Sequence, residues 1–212
     1  MNKIRIMLAD DHAVVRSGLR RLLEQNPELE VIAEADNGES AYQLYGEHSP
    51  DVAVLDLSMP GMGGLEAVRR ILARHPLAKM IVFSMHENAS FATQALKAGA
   101  RGYVAKTGAP DELLVAVQEV MRGKTFLSPG VAQKIAMQSL AGQNEPVHQL
   151  SAREFEVFRL LAEGRSTEEV GDMLKISQKT VANYHTLIKQ KLGISTSVEL
   201  IRIAMRNGII EG

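Results

Sequence analysis

The 212-residue chain has no cysteine, which excludes disulfide bridges and thiolate-held metals. That absence fits a reducing cytosol, and a cytoplasmic location is expected. No stretch approaches the roughly 20 apolar residues of a membrane helix, so no membrane partner is expected. Lys3 and Arg5 interrupt the apolar alternation of Met1 to Ala9, which does not read as a signal peptide. Charge of one sign is also lacking: 24 basic against 25 acidic residues leave a net charge of -1. The whole-chain balance therefore gives no sign of a nucleic-acid partner, and local charge must carry that argument. There is no repeat and no low-complexity segment. What remains has the makeup of an ordinary globular protein, long enough for two modest domains.

From Ile4 to about Arg122, short apolar runs alternate with amphipathic stretches, the pattern of strands and helices around a parallel sheet. Strands are predicted at Ile4 to Ala9, Val31 to Ala35, Val52 to Asp56, Met80 to Ser84 and Gly102 to Ala105. Val15, Leu19, Leu22 and Leu23 recur at helical spacing between the first two, with Asp11 placed as cap and Pro27 beyond the end. Further helices are predicted at Gly38 to His48, Leu65 to Arg74, Phe91 to Ala98 and Pro110 to Arg122. Five strand-helix pairs make a doubly wound domain, whose ligands gather at the carboxyl ends of the strands.

After Gly123 the pattern changes. Ser128 to Leu140 reads as a helix, and Ala141 to Gln149, with Gly142, Asn144 and Pro146, reads as linker. Four helices follow with no strand signal: Ala152 to Glu163, Thr167 to Leu174, Gln178 to Leu192 and Ser197 to Arg206. Ser151 with Glu154 spells a capping box, and Ser166 and Ser177 are N-cap candidates.

Asp10 and Asp11 leave the first predicted strand and Asp56 ends the third, so three carboxylates meet on one rim. Their mutual repulsion is relieved by a hard divalent cation, and Mg²⁺ suits carboxylates plus a phosphate. Lys106 and Ser84 end the fifth and fourth strands and supply a cation and a hydroxyl for phosphoryl oxygens. Taken singly, each residue also suits a plain role: helix cap, turn former before Pro60, or solvated lysine.

Asp10-Asp11, the run Val54-Leu55-Asp56-Leu57-Ser58-Met59-Pro60-Gly61, Ser84-Met85 and Lys106 resemble the receiver domain of two-component response regulators. The likeness covers about the first 122 residues. It implies that Asp56 accepts a phosphoryl group, that Asp11, Asp56 and the Ser58 carbonyl bind Mg²⁺, and that Asp10 acts partly through water. It further implies that Lys106 pairs with the phosphoryl oxygens and that Ser84 and Tyr103 form a switch pair, the ring moving inward as the hydroxyl turns to the phosphate.

In Gln178 to Leu192, Val181, Tyr184, His185, Ile188 and Leu192 fall on one side and should face a core. Lys179, Ala182, Asn183, Thr186 and Gln190 fall on the other, flanked by Lys189 and Lys191. Three lysines and no acid give this helix +3 in a chain of -1. A cationic helix suits a phosphate backbone, and Asn, Gln, Ala and Thr suit base edges in the major groove. A solvated polar face is the plain alternative.

Leu150-Ser151-Ala152-Arg153-Glu154, Gly164-Arg165-Ser166, Ile176 to Val181 and Lys191-Leu192-Gly193-Ile194 resemble the LuxR-type helix-turn-helix. A receiver followed by this unit is similar to the NarL/FixJ class. The resemblance implies a five-stranded, flavodoxin-like receiver over 1–123, a linker with a helix over 124–149, and a four-helix DNA-binding domain over 150–212. The implied DNA contacts are Lys179, Thr180, Ala182, Asn183, Thr186, Lys189, Gln190 and Lys191. Implied partners are a sensor histidine kinase, double-stranded DNA and a second copy of the chain, and the implied switch is release of the recognition helix from the receiver. No enzyme acting on outside substrates is implied beyond assistance to its own phosphorylation and dephosphorylation. Glu168, Glu169 and Asp172 depart from the basic scaffold helix common in the class, and Ala182 and Thr186 are neutral where its members often carry basic residues, which predicts weak DNA affinity for the isolated domain. Two other readings share the same residues: a Mg²⁺-dependent phosphatase with Asp56 as nucleophile, and a regulator whose C-terminal helices dock a protein.

Overall fold

The computed structural model describes residues 3–140 and 146–210. Its first half is a parallel sheet of β1 (Ile4–Ala9), β2 (Leu29–Ala35), β3 (Val52–Leu55), β4 (Met80–Ser84), β5 (Gly102–Ala105) and β6 (Phe126–Leu127). The spatial order is β2-β1-β3-β4-β5-β6. Strand pleating sends alternate residues to opposite faces and so divides the core in two. Ile6, Leu8, Val52 and Val54 pack with Leu19 and Leu23 of α1 (Ala13–Glu24) and Leu113 and Val117 of α5 (Asp111–Met121). Met7, Ala9, Ala53 and Leu55 face α2 (Gly38–His48), α3 (Gly64–Arg74) and α4 (Ala89–Lys97).

Six strands stand where five were expected. Phe126–Leu127 is too short to show a period, but it returns past Gly123 to pair with Gly102 and Tyr103. Strand β2 opens at Leu29, two residues early, because Leu29 is in register with Ile4. The expected Asp11 cap is also corrected. Helix α1 starts after His12, whose side chain caps nothing, while Asp10 Oδ1 accepts the His12 amide at 2.8 Å. The Asp11 carboxylate is left to the rim.

The second half comprises α6 (Pro129–Leu140), a 3₁₀ turn at Pro146–Gln149, α7 (Ala152–Ala162), α8 (Thr167–Leu174), α9 (Gln178–Leu192) and α10 (Ser197–Arg206). The capping box at Ser151 is present, Ser166 makes a second with Glu169, and Ser177 accepts the Thr180 amide. The predicted linker is only partly irregular. Of its residues 141–145 lie outside the described ones, and Val147 in the turn is fully buried, where its carbonyl accepts from Gln94 Nε2 at 3.0 Å.

The two halves are docked. Phe155 of α7 meets Phe91 of α4 edge-on at 5.1 Å between ring centres. Arg153 Nη1 donates to the carbonyls of Gly61 (3.3 Å) and Met62 (3.1 Å), and its Nη2 to Leu174 (2.6 Å). The Gly61 amide donates to the Met173 carbonyl at 2.8 Å. At the other end Asn88 Nδ2 donates to the Gly208 carbonyl at 2.6 Å. Both docking points, 61–63 and 88–94, lie shortly downstream of the strand ends that carry Asp56 and Ser84.

Candidate functional site

Backbone pairing sets the acidic rim. The Asp56 amide donates to the Ala9 carbonyl at 2.7 Å, and the Lys106 amide to the Ser84 carbonyl at 2.7 Å. Gly64 lets α3 begin directly beneath the phosphoacceptor candidate, because a Cβ there would collide with the Asp56 carbonyl. Carboxylate oxygens of Asp10, Asp11 and Asp56, with a ring nitrogen of His12, lie within 4.8 Å of one another. The acidic pocket that the spacing predicted is therefore formed, and its donor set suits a metal ion.

Asp10 and Asp56 are 2% and 3% exposed, so their charges have little water to screen them. Lys106 Nζ answers both, at 2.6 Å from Asp10 Oδ2 and 2.9 Å from Asp56 Oδ2. Burial pushes the Asp56 carboxyl above its usual range; Lys106 and the Ser58 amide pull against that, and Asp10 adds to it. Burial disfavours the Lys106 charge, yet hydrogen bonds to Asp10 and Asp56 outweigh it and hold the ammonium above its usual range.

Ser84 is fully buried and its Oγ accepts the His86 amide at 3.2 Å. Tyr103 points inward, fully buried, with its hydroxyl donating to the His86 carbonyl at 2.6 Å. Burial raises the Tyr103 hydroxyl well above its ordinary range. Two residues near the site were missed by sequence reasoning. His12 follows Asp10-Asp11 directly, and its Nδ1 lies 2.8 Å from Asp11 Oδ1. His86 stacks on Phe91 at 3.9 Å and so stands between the rim and α7. Their only signal was adjacency to residues already singled out.

On α9, Val181, Ile188 and Leu192 are buried as expected, while Tyr184 and His185 are half-buried. Lys179, Ala182, Asn183, Thr186 and Gln190 lie together on the opposite side, all five exposed and Lys179 at its start. The other three named contacts are engaged within the domain. Lys189 Nζ donates to the Ser195 carbonyl at 3.0 Å, Lys191 Nζ pairs with Glu154 at 2.6 Å, and Thr180 Oγ1 lies 2.7 Å from Ser177 Oγ. The receiver packs on α7, the ends of α8 and α10 and the 3₁₀ turn, so this face of α9 is open to solvent even in the docked form.

An acidic rim at the ends of β1 and β3, a lysine at the end of β5 and a helical unit presenting one polar helix define a class: a phosphorylation-responsive regulatory protein. Residues 6–118 match the model of the response regulator receiver domain, and residues 148–204 match that of bacterial regulatory proteins of the luxR family. The chain is 37% identical over 210 residues to the response regulator GacA of Pseudomonas aeruginosa, covering 98% of each. It is 35% identical over 208 residues to the response regulator UvrY of Escherichia coli, covering 97% of this chain and 95% of that one. Among solved structures it is similar to RcsB of Salmonella enterica serovar Typhimurium bound to promoter P1flhDC in the presence of the phosphomimetic BeF₃⁻. That match has a TM-score of 0.71 at 29% identity and covers 95% of this chain and 98% of that one. This chain belongs to the response regulators of the NarL/FixJ class, with a receiver and a LuxR-type DNA-binding unit, and is a phosphorylation-controlled transcriptional regulator.

Proposed function

We propose that Asp56 accepts a phosphoryl group from a sensor histidine kinase and that the modified chain grips operator DNA as a dimer. The observation that carries this is the Lys106 ammonium held between Asp10 and Asp56 at converging strand ends. Asp10, Asp11, Asp56 and the Ser58 carbonyl are the residues that would hold Mg²⁺, which would neutralise the rim and the incoming phosphate. Lys106 is placed to hold phosphoryl oxygens and Ser84 to donate its hydroxyl to them. Tyr103, already inward, is the partner of Ser84 in the switch. The working units are a receiver over 1–123, a linker over 124–149 and a DNA-binding domain over 150–212. The protein assists its own phosphorylation and dephosphorylation and turns over no outside substrate. It works in the cytoplasm, and among the described residues no helix is long and apolar enough to cross a membrane.

Transmission runs through the docked contact. New charge on Asp56 pulls Ser84 and Lys106, displaces the segments that continue to Gly61–Gly63 and to Asn88–Gln94, and loosens the seat of α7. Since the polar face of α9 is already exposed, opening frees the DNA-binding domains to pair across a two-half-site operator rather than uncovering that face. RcsB, 29% identical to this chain, has been solved as two dimers bound to two parallel DNAs.

Treatment with acetyl phosphate and Mg²⁺ followed by footprinting on genomic fragments should strengthen protection at paired sites. Footprints unaltered by phosphorylation would refute the coupling. Lys179→Ala, at the exposed start of α9, should weaken binding and make the slope of log K against log salt shallower by about 1, the value for one phosphate neutralised by one lysine. An unchanged slope would remove Lys179 from the DNA face.

A further inference from the structure

Glu156 lies on α7 in the middle of the contact between the two halves and is only 6% exposed. Its Oε2 accepts from Arg153 Nη1 at 2.8 Å. Its Oε1 is buried with no hydrogen-bond partner among the described residues and is pressed against Gly63, where a Cβ would collide with it. Gly63 has φ of +71° and belongs to the loop that runs from Asp56 into α3. A carboxyl group with one bare oxygen is thus shut between the effector domain and the phosphorylation loop. An ionised carboxylate tolerates such a place poorly, while a protonated one loses little by it.

The charged groups facing it are few. Arg153 and Arg159 come from its own helix and Glu66 from α3; the Gly61–Gly63 loop and Leu174 at the end of α8 bring none. Arg153 divides its charge among three carbonyls as well. Glu66 in turn is tied to Arg69 and Arg70, each at 2.7 Å.

We propose that Glu156 is a proton-linked latch: closure of the DNA-binding half onto the receiver takes up a proton at this carboxyl, and opening releases it. The inference rests on the reading that the two halves separate. Burial first, with Glu66 adding and the two arginines opposing, pushes the docked carboxyl up to about 7 from an ordinary 4.5. The closed form therefore binds the extra proton between those values. Its advantage is complete below the ordinary range, falls as pH rises to about 7, and is level above that. His86 acts in the opposite sense, since burial and Arg159 hold it down to about 4 when docked, and it gains a proton if opening exposes it.

The test separates these two groups by comparing Glu156→Gln with the wild type in the full chain. In ¹³C NMR, the side-chain carboxyl signal that Glu156→Gln removes should titrate near neutrality. A midpoint in the ordinary carboxylate range would overturn the latch. Because the native chain has no cysteine, cysteines placed at exposed Leu77 and Glu168 can carry a dye pair whose energy transfer reads closure. In urea chosen so that both forms are populated, the ratio of closing constants, Gln variant over wild type, should be only about fourfold at pH 5. It should rise at least about tenfold by pH 7.5 and then stay flat. A ratio independent of pH, or a variant less closed than the wild type at pH 8, counts against the proposal. Energy transfer unmoved by BeF₃⁻ and Mg²⁺ would instead sink the phosphorylation-driven opening and leave the proton linkage standing.

Discussion

Asp56→Asn is expected to take up phosphoryl label from acetyl phosphate only at background level, in the presence of saturating Mg²⁺. The carboxylate is the attacking group in the proposed transfer, and an amide at the same place is no nucleophile at neutral pH. The substitution keeps the shape of the side chain, so the loss is chemical rather than structural. Stability should support that distinction. Burial raises the Asp56 carboxyl, so its ionised form weighs against the folded state once the pH passes the unfolded value, and a neutral amide removes that cost. The variant should therefore melt no lower than the wild type near pH 7, while Lys106 keeps its 2.6 Å contact with Asp10. Phosphate-affinity gels or intact mass spectrometry give the readout, and footprints of the variant should not respond to acetyl phosphate. Label at the wild-type level would place the phosphoacceptor elsewhere.

The acidic rim was legible because every member stands next to a strand that announces itself. Val54-Leu55-Asp56 and Val104-Ala105-Lys106 combine an apolar run with an abrupt charge, and a parallel sheet brings such ends together whatever the intervening helices do. Helices α8, α9 and α10 start and stop where the sequence placed them, because Ser166, Ser177 and Thr196 cap their starts. Strand β6 escaped, since two residues hold no period. Asp11 was misassigned because a carboxylate before a helix looks the same whether it or its neighbour bonds the amide; the choice of Asp10 depends on the direction of the β1 exit.

The residues that form the interface between the halves were not legible in the sequence. Phe91 and Phe155 lie 64 positions apart with no pattern linking them, and only coordinates show them meeting. Gly63 makes room for a carboxylate 93 positions away, a relation without local pattern. Lys189 and Lys191 were counted toward DNA from the positive charge of the helix and from the resemblance. Their ties to Ser195 and Glu154 follow from the packing of α10 and α7 against α9.

The same electrostatics make Lys106→Met the largest expected stability change. In the native rim one ammonium, 9% exposed, answers two carboxylates that are almost completely buried. Methionine fills a similar volume and leaves those anions facing each other, and removing one partner from a buried ionic group costs about 3–5 kcal/mol. The cost should depend on pH in a definite direction. Without the lysine, Asp56 loses the two influences that lower its pKa most, so the folded state holds a proton there to higher pH than the unfolded chain does. Because the wild-type carboxyl is itself raised, the deficit from this group stays small up to the wild-type folded value and grows between that value and the higher one of the variant. Mg²⁺ should recover part of the loss, because it binds the assembled carboxylates and not the unfolded chain. Urea unfolding of wild type and variant at pH 5 and pH 8, each with chelator and with Mg²⁺, reads all three effects. A variant within about 1 kcal/mol of the wild type in chelator at pH 8 would show that the carboxylates do not lean on Lys106, and with it the claim that this lysine organises the site would fall.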